Sequence, residues 1–151
     1  MKIVCFSDNH GFLPRNLPKG DLIIINGDFT PAGRMFEQLA WLNNEFRYWL
    51  EQQEAPVYIN FGNHDTIFER NREYVPELPC TFLMDKAITI QGIKLYFTPW
   101  ILPIGNWAFM ANESRLANYI YPRIPNDTNI LVSHAPMYGY GDLNVHGENI
   151  G

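Results

Sequence analysis

Val57-Tyr58-Ile59, followed by Asn60-Phe61-Gly62-Asn63-His64-Asp65, is the stretch from which the fold can be read. The three apolar residues read as a buried strand. The next six offer an amide, an imidazole and a carboxylate on a backbone that Gly62 leaves free to turn. Open α/β sheets carry their chemistry in loops at such strand ends. Two earlier segments finish the same way. Lys2-Ile3-Val4-Cys5-Phe6-Ser7 runs into Asp8-Asn9-His10-Gly11, and Asp21-Leu22-Ile23-Ile24-Ile25-Asn26 runs into Gly27-Asp28. Much later, Asn129-Ile130-Leu131-Val132-Ser133 runs into His134. Four apolar strands therefore end in side chains that can ligate a metal.

The remaining segments fill in an α/β domain. Met35, Leu39, Leu42, Phe46 and Trp49 are spaced four, three, four and three, which makes one stripe of a helix over 34–53 that Pro56 stops. Strand, loop, strand, helix, strand over the first 65 residues predicts parallel pairing through crossovers. Residues 66–77 are polar, a short helix or irregular. Short strands are expected at 81–84, 87–91 and 94–98, with Gln91-Gly92 turning the last two, and this antiparallel texture implies a second sheet. Residues 100–110 read as a long loop, 112–119 as a short helix, and 137–151 have no period. Without repeats or linkers, one domain over 1–151 is expected.

The totals narrow the function. A chain of 151 residues can bury a full core. A net charge of −5 argues against gripping nucleic acid by electrostatics, yet bound cations would invert the field locally for a phosphate substrate. No apolar run approaches the roughly 18 residues of a membrane span, and no secretory leader pattern opens the chain. A soluble, cytoplasmic protein is the expectation. Cys5 and Cys80 cannot build a disulfide framework, and Cys5, in a core strand, is expected to be a small buried hydrophobe.

Mixed carboxylate, amide and imidazole ligands suit first-row divalent cations. Asp8 and His10 are two apart, so on extended backbone both face one ion. Asp28 has two oxygens and can bridge. Asn63 and His134 remain for a second ion. Two cations about 4 Å apart clamp an in-line displacement at phosphorus and turn a shared, bridging water into hydroxide. His64, beside Asp65, is the residue type that protonates a leaving oxygen near neutral pH. Singly, each residue has a duller reading: Asp8 or Asp28 as a turn cap, His10 as a loop residue, Asn63 as a turn, His134 as a core histidine. Their joint placement points to metal.

Asp8-Asn9-His10, Gly27-Asp28, Gly62-Asn63-His64-Asp65 and the strand-end His134 resemble, in order and spacing, the first four motifs of the calcineurin-like metallophosphoesterase family. Gly27-Asp28-Phe29-Thr30, Gly92-Ile93-Lys94-Leu95-Tyr96 with Thr98-Pro99-Trp100, and Leu131-Val132-Ser133-His134-Ala135-Pro136 are similar to its metallophosphoesterase-domain, brain-type phosphodiesterase branch. The resemblance implies two facing mixed β-sheets flanked by helices, a four-layer αββα sandwich. It implies two divalent ions (Mn, Fe, Zn, Ni or Mg), with Asp8 and His10 on the first, Asp28 bridging, and Asn63 and His134 on the second. His64 would be the acid and Asp65 its orienter. The implied partner is a small phosphate ester such as a nucleotide. Trp100, Trp107, Phe109 and Tyr138 are, by residue type, candidate platforms for a base.

One family motif has no match. The C-terminal Gly-His-x-His is absent, and only His146 lies downstream of His134. The fold is thus expected to lack the family's C-terminal portion. Weaker metal binding should follow, and a sheet edge should lie open to a second copy or a complementing C-terminal chain. The alternative function is a catalytically weak or inactive binding protein, or one piece of a split phosphoesterase.

Overall fold

Strand β2 (Leu22–Asn26) is apolar without alternation because both of its faces are covered. In the computed structural model, which describes residues 1–150, it lies inside a parallel sheet of order β1-β2-β3-β4. β1 spans Ile3–Phe6, β3 spans Val57–Asn60 and β4 spans Thr81–Phe82. Cα pairs such as Ile25 with Ile59 and Asn26 with Asn60 bring the ends of β2 and β3 level. A second sheet has the order β5-β6-β7, from Lys86–Ile90, Ile93–Thr98 and Ile130–Ser133. β5 and β6 pair antiparallel, while β6 and β7 pair parallel.

Alternate side chains of β2 point to opposite faces. Ile23 and Ile25 pack with Phe29, Trp41, Leu42 and Phe46 under the helical layer, whereas Leu22 and Ile24 pack with Leu95, Phe97 and Val132 of the second sheet. The predicted helix is α1 (Met35–Trp41), a π-helical turn at Leu42–Phe46 and α2 (Arg47–Glu51). The wide turn lets Trp41, Leu42, Phe46, Trp49 and Leu50 all reach the core. Helix α3 (Thr66–Arg70) follows β3. On the outer face of the second sheet, α4 (Glu113–Arg115) continues into a π turn at Leu116–Ile120. Leu116 lines a cavity of about 420 Å³ with Thr98, Leu131 and Ser133, so the fourth layer covers that face only in part. The architecture is the α/β arrangement of two facing sheets flanked by helices.

Two expectations are corrected here. Residues 81–84 do not join the antiparallel sheet. Thr81–Phe82 pairs parallel to β3, because the chain from 61 to 80 is long enough for a crossover and a two-residue strand shows no period. Cys5 is exposed rather than buried. β1 is an edge strand, and the face that Cys5 shares with Ile3 runs beyond the cover of the three-stranded sheet.

An asparagine pair rivets the sheets beneath the strand ends. The Asn60 amide donates to Asn26 Oδ1 and to the Thr98 carbonyl, each at 2.9 Å. Asn26 Nδ2 donates to the Ser133 carbonyl at 2.8 Å. These bonds fix where β7 delivers His134.

Candidate metal centre

The loops after β1 and β2 extend the strand pairing past the sheet. Asp8 N donates to Gly27 O at 3.1 Å, and His10 N donates to Asp28 O at 2.9 Å. Asp8, His10 and Asp28 all take left-handed backbone, with φ of 56°, 41° and 51°. Three of the five expected ligands thus sit in a region that costs non-glycine residues of order 1 kcal/mol each, a cost that persists where surrounding structure holds it.

Asp28 is the hub. It is 3% exposed, and its two oxygens face different partners. Oδ2 lies 3.9 Å from His10 Nε2 and 4.0 Å from His64 Nε2. Oδ1 lies 3.5 Å from His134 Nε2, whose other neighbour is Asn63 Oδ1 at 3.2 Å. Ligand atoms of His10, Asp28 and His64 lie within 4.8 Å of one another, and so do those of Asp8, Asp28 and His134. All five expected ligands therefore converge. Within these groups Asp8 stands with His134 and His10 with His64, whereas Asp8 and His10 were expected to share an ion. The left-handed φ at both Asp8 and His10 removes the extended geometry on which that pairing rested.

Local packing prepares these groups. His134 Nδ1 is 3.0 Å from the Asn26 carbonyl, an acceptor that places the proton on Nδ1 and leaves the Nε2 lone pair facing Asp28. Two glycines make room. A Cβ at Gly27 would stand 2.5 Å from His134 Nδ1, and one at Gly62 would stand 2.7 Å from His134 Cε1. His10 Nδ1 and His64 Nδ1 are buried without a hydrogen-bond partner among the described residues. Two carboxylates with several imidazoles whose Nε2 atoms turn inward suit divalent cations in charge and donor type.

Asp65 does not orient His64. Its carboxylate accepts the N–H groups of Asp28 (2.9 Å), Phe29 (3.1 Å), Thr30 (3.0 Å) and Gly62 (2.8 Å), and the Thr30 hydroxyl at 2.7 Å. Burial pushes its carboxyl up to about 6, against the pull of the Thr30 and Gly62 amides and the Thr30 hydroxyl. It is the post that ties the Asp28 loop to the His64 loop. Gln38 completes the tie and was not singled out from the sequence. Fully buried, it donates to the His64 carbonyl at 2.8 Å and to Thr30 Oγ1 at 3.0 Å, and accepts from Ile67 N at 3.1 Å. A polar residue three after Met35, on the inward side of the helix, was its available signal.

The expected aromatic platforms separate. Phe109 is core, Tyr138 is 72% exposed, and Trp100 carries the Arg115 guanidinium 5.2 Å from its ring. Trp107, 39% exposed, lies directly on His64. His146 is exposed in a turn and belongs to neither ligand group among the described residues.

A family model described as calcineurin-like phosphoesterase matches residues 1–150. The chain belongs to the calcineurin-like phosphoesterase family. It is similar to a UPF0046 protein of Caenorhabditis elegans, 30% identical over 159 residues that cover 94% of this chain and 53% of that protein. It is also similar to metallophosphoesterase domain-containing protein 1 of Homo sapiens, 28% identical over 169 residues, 93% of this chain and 50% of that protein. The chain spans about half the length of the curated relatives it matches. No helix among the described residues is long and apolar enough to cross a membrane.

Proposed function

We propose that this chain holds two divalent cations around Asp28 and hydrolyses phosphate esters, as a phosphodiesterase on nucleotide-like substrates. The observation that carries this reading is the division of Asp28, one oxygen toward His10 and His64 and the other toward His134. Asp8, His10, Asp28, Asn63 and His134 would hold the cations. Such ions supply charge neutralisation for phosphoryl oxygens and lower the pKa of water. His64 presents Nε2 to the same space while its backbone N–H is fixed by Asp28 Oδ1 at 2.7 Å. Its role would be to deliver a proton from Nε2 to a leaving oxygen. Exposed indole beside it supports a substrate with an aromatic group.

The test is metal content and turnover on the same samples. Mn²⁺-saturated protein should retain about two ions and cleave a bis-aryl phosphate. Asp28→Asn should lose both ions. His64→Ala should keep metal but lose at least about 100-fold on alkyl leaving groups. Retention of both ions by Asp28→Asn would refute the shared-carboxylate reading. The alternative, a scaffold that binds cations without turnover, is the outcome in which metal is held and neither ester is cleaved.

A further inference from the structure

His64 lacks the carboxylate partner that its neighbour in sequence was expected to give it. Its ring is held by other rings. The His10 imidazole meets it edge-on, with centroids 4.8 Å apart and planes at 79°. The Trp107 indole covers it at a centroid distance of 4.0 Å and an interplanar angle of 32°. Contact that close restricts rotation of an imidazole whose Nδ1 has no hydrogen bond to fix it among the described residues.

Trp107 is itself held by the elements around the Asn63-His64 loop. The Arg70 guanidinium donates to the carbonyls of Asn106 at 2.9 Å and Trp107 at 3.2 Å. Ala108 N donates to the Asn63 carbonyl at 3.0 Å, and Phe109 N to Glu69 Oε1 at 2.9 Å. Glu69 and Arg70 both belong to α3, the helix that continues directly from the His64 loop. A segment more than thirty residues downstream is thus stitched, on either side of its indole, to the residues carrying the proposed ligand Asn63 and the proposed acid. Packing within the protein does not otherwise need an indole there: Trp107 is not part of the main core, and its outer part faces solvent.

We propose that Trp107 is the positioning residue for His64, stacking on the imidazole so that Nε2 stays aimed at the space beside Asp28. The inference rests on the phosphoesterase reading for its kinetic consequence but not for its geometry, and the two are tested apart.

The geometric arm uses metal-free protein and needs no turnover. The chain has four histidines, so their ring signals are readily resolved by ¹H–¹³C NMR. In the parent, one imidazole should be shifted upfield and show NOEs to a single indole; Trp107→Leu should abolish both, and Trp107→Phe should keep an upfield shift. Parent spectra without that contact would overturn the proposal, whatever the enzyme does. The kinetic arm compares an alkyl with a bis-aryl phosphate diester, because only the alkoxide needs a proton donor. Trp107→Leu should depress kcat on the alkyl ester about tenfold more than on the aryl ester, with metal content unchanged, and Trp107→Phe should restore most of that ratio. Equal losses on the two esters, or a ratio that does not move, would overturn the positioning role. Should the parent cleave neither ester, the phosphoesterase reading fails and the NMR arm alone decides the contact.

Discussion

The Asp65 carboxylate accepts the backbone N–H of Asp28 at 2.9 Å, across 37 residues of sequence. Histidine and aspartate adjacent in a loop suggest a proton-relay couple. Here the aspartate is turned away and holds the other loop in place. At neutral pH it is an acceptor-only group meeting five donors, an arrangement only the ionised side chain satisfies fully.

Asp65→Asn therefore tests structure before chemistry. The amide NH₂ would face N–H groups, leaving at least one buried donor unpaired. A loss of about 3 kcal/mol is expected from urea unfolding at pH 7.5. An unchanged urea midpoint with lost turnover would restore the relay assignment.

Gly62 and Gly92 make a matched pair of alanine substitutions. A Cβ at Gly62 would lie 2.5 Å from Asp28 N and 2.7 Å from His134 Cε1, so Gly62→Ala must displace backbone or ligands. At least about 2 kcal/mol of stability and much of the metal affinity should go. Gly92, in the β5–β6 turn, has φ of +79° and nothing within 4 Å of an added Cβ. Gly92→Ala should cost only about 1 kcal/mol and leave metal binding intact. Thermal unfolding with and without Mn²⁺ separates the two, and equal effects would show that the Asp28–His134 approach is looser than described.

The two thiols should differ sharply. Cys5 is exposed and Cys80 partly buried, and burial raises both thiols, Cys80 up to about 12. With an aromatic disulfide reagent at pH 8, one thiol should react without denaturant and the second only after unfolding. Mass mapping should place the first label on Cys5; a label on Cys80 would contradict the packing.

Much of this centre was legible because hydrophobic runs announce strands and the residues after them are few. Asp8, His10, Asp28, Asn63 and His134 were found that way, and all five converge. What adjacency in sequence does not carry is direction. Asp65 follows His64, yet it is the residue that leads into α3, and its carboxylate is taken up by the amides of Asp28, Phe29 and Thr30 instead of the His64 ring. Gln38 escaped because an apolar-stripe reading passes over a polar residue whose worth lies in the loops it meets. The left-handed backbone at Asp8, His10 and Asp28 is enforced by bonds between two loops, which no single segment reveals. Cys5 was misplaced because burial depends on how many strands the facing sheet has.

The pair between Lys94 and Asp127 joins β6 to the loop before β7 and gives a pH signature. The lysine's hydrogen bond holds the Asp127 carboxyl below its ordinary value. A carboxyl lowered on folding contributes stability above its unfolded pKa and loses it as the medium acidifies through the folded one. The advantage of the parent over Asp127→Asn should thus be present near pH 6, fade below pH about 4 and shrink in high salt, as exposed pairs do. A difference in melting temperature that ignores both acid and salt would mean that the ion pair contributes nothing.

His134 reaches back to Asn26 across 108 residues, and without it the Asp8–Asp28 corner has no imidazole. A nascent chain leaving the ribosome consequently carries only half a cradle until its seventh strand has emerged and slid in beside the sixth. On the proposed reading, cation capture at that corner would come only after this long loop has closed, so uptake of metal by newly made protein would time the docking of the seventh strand.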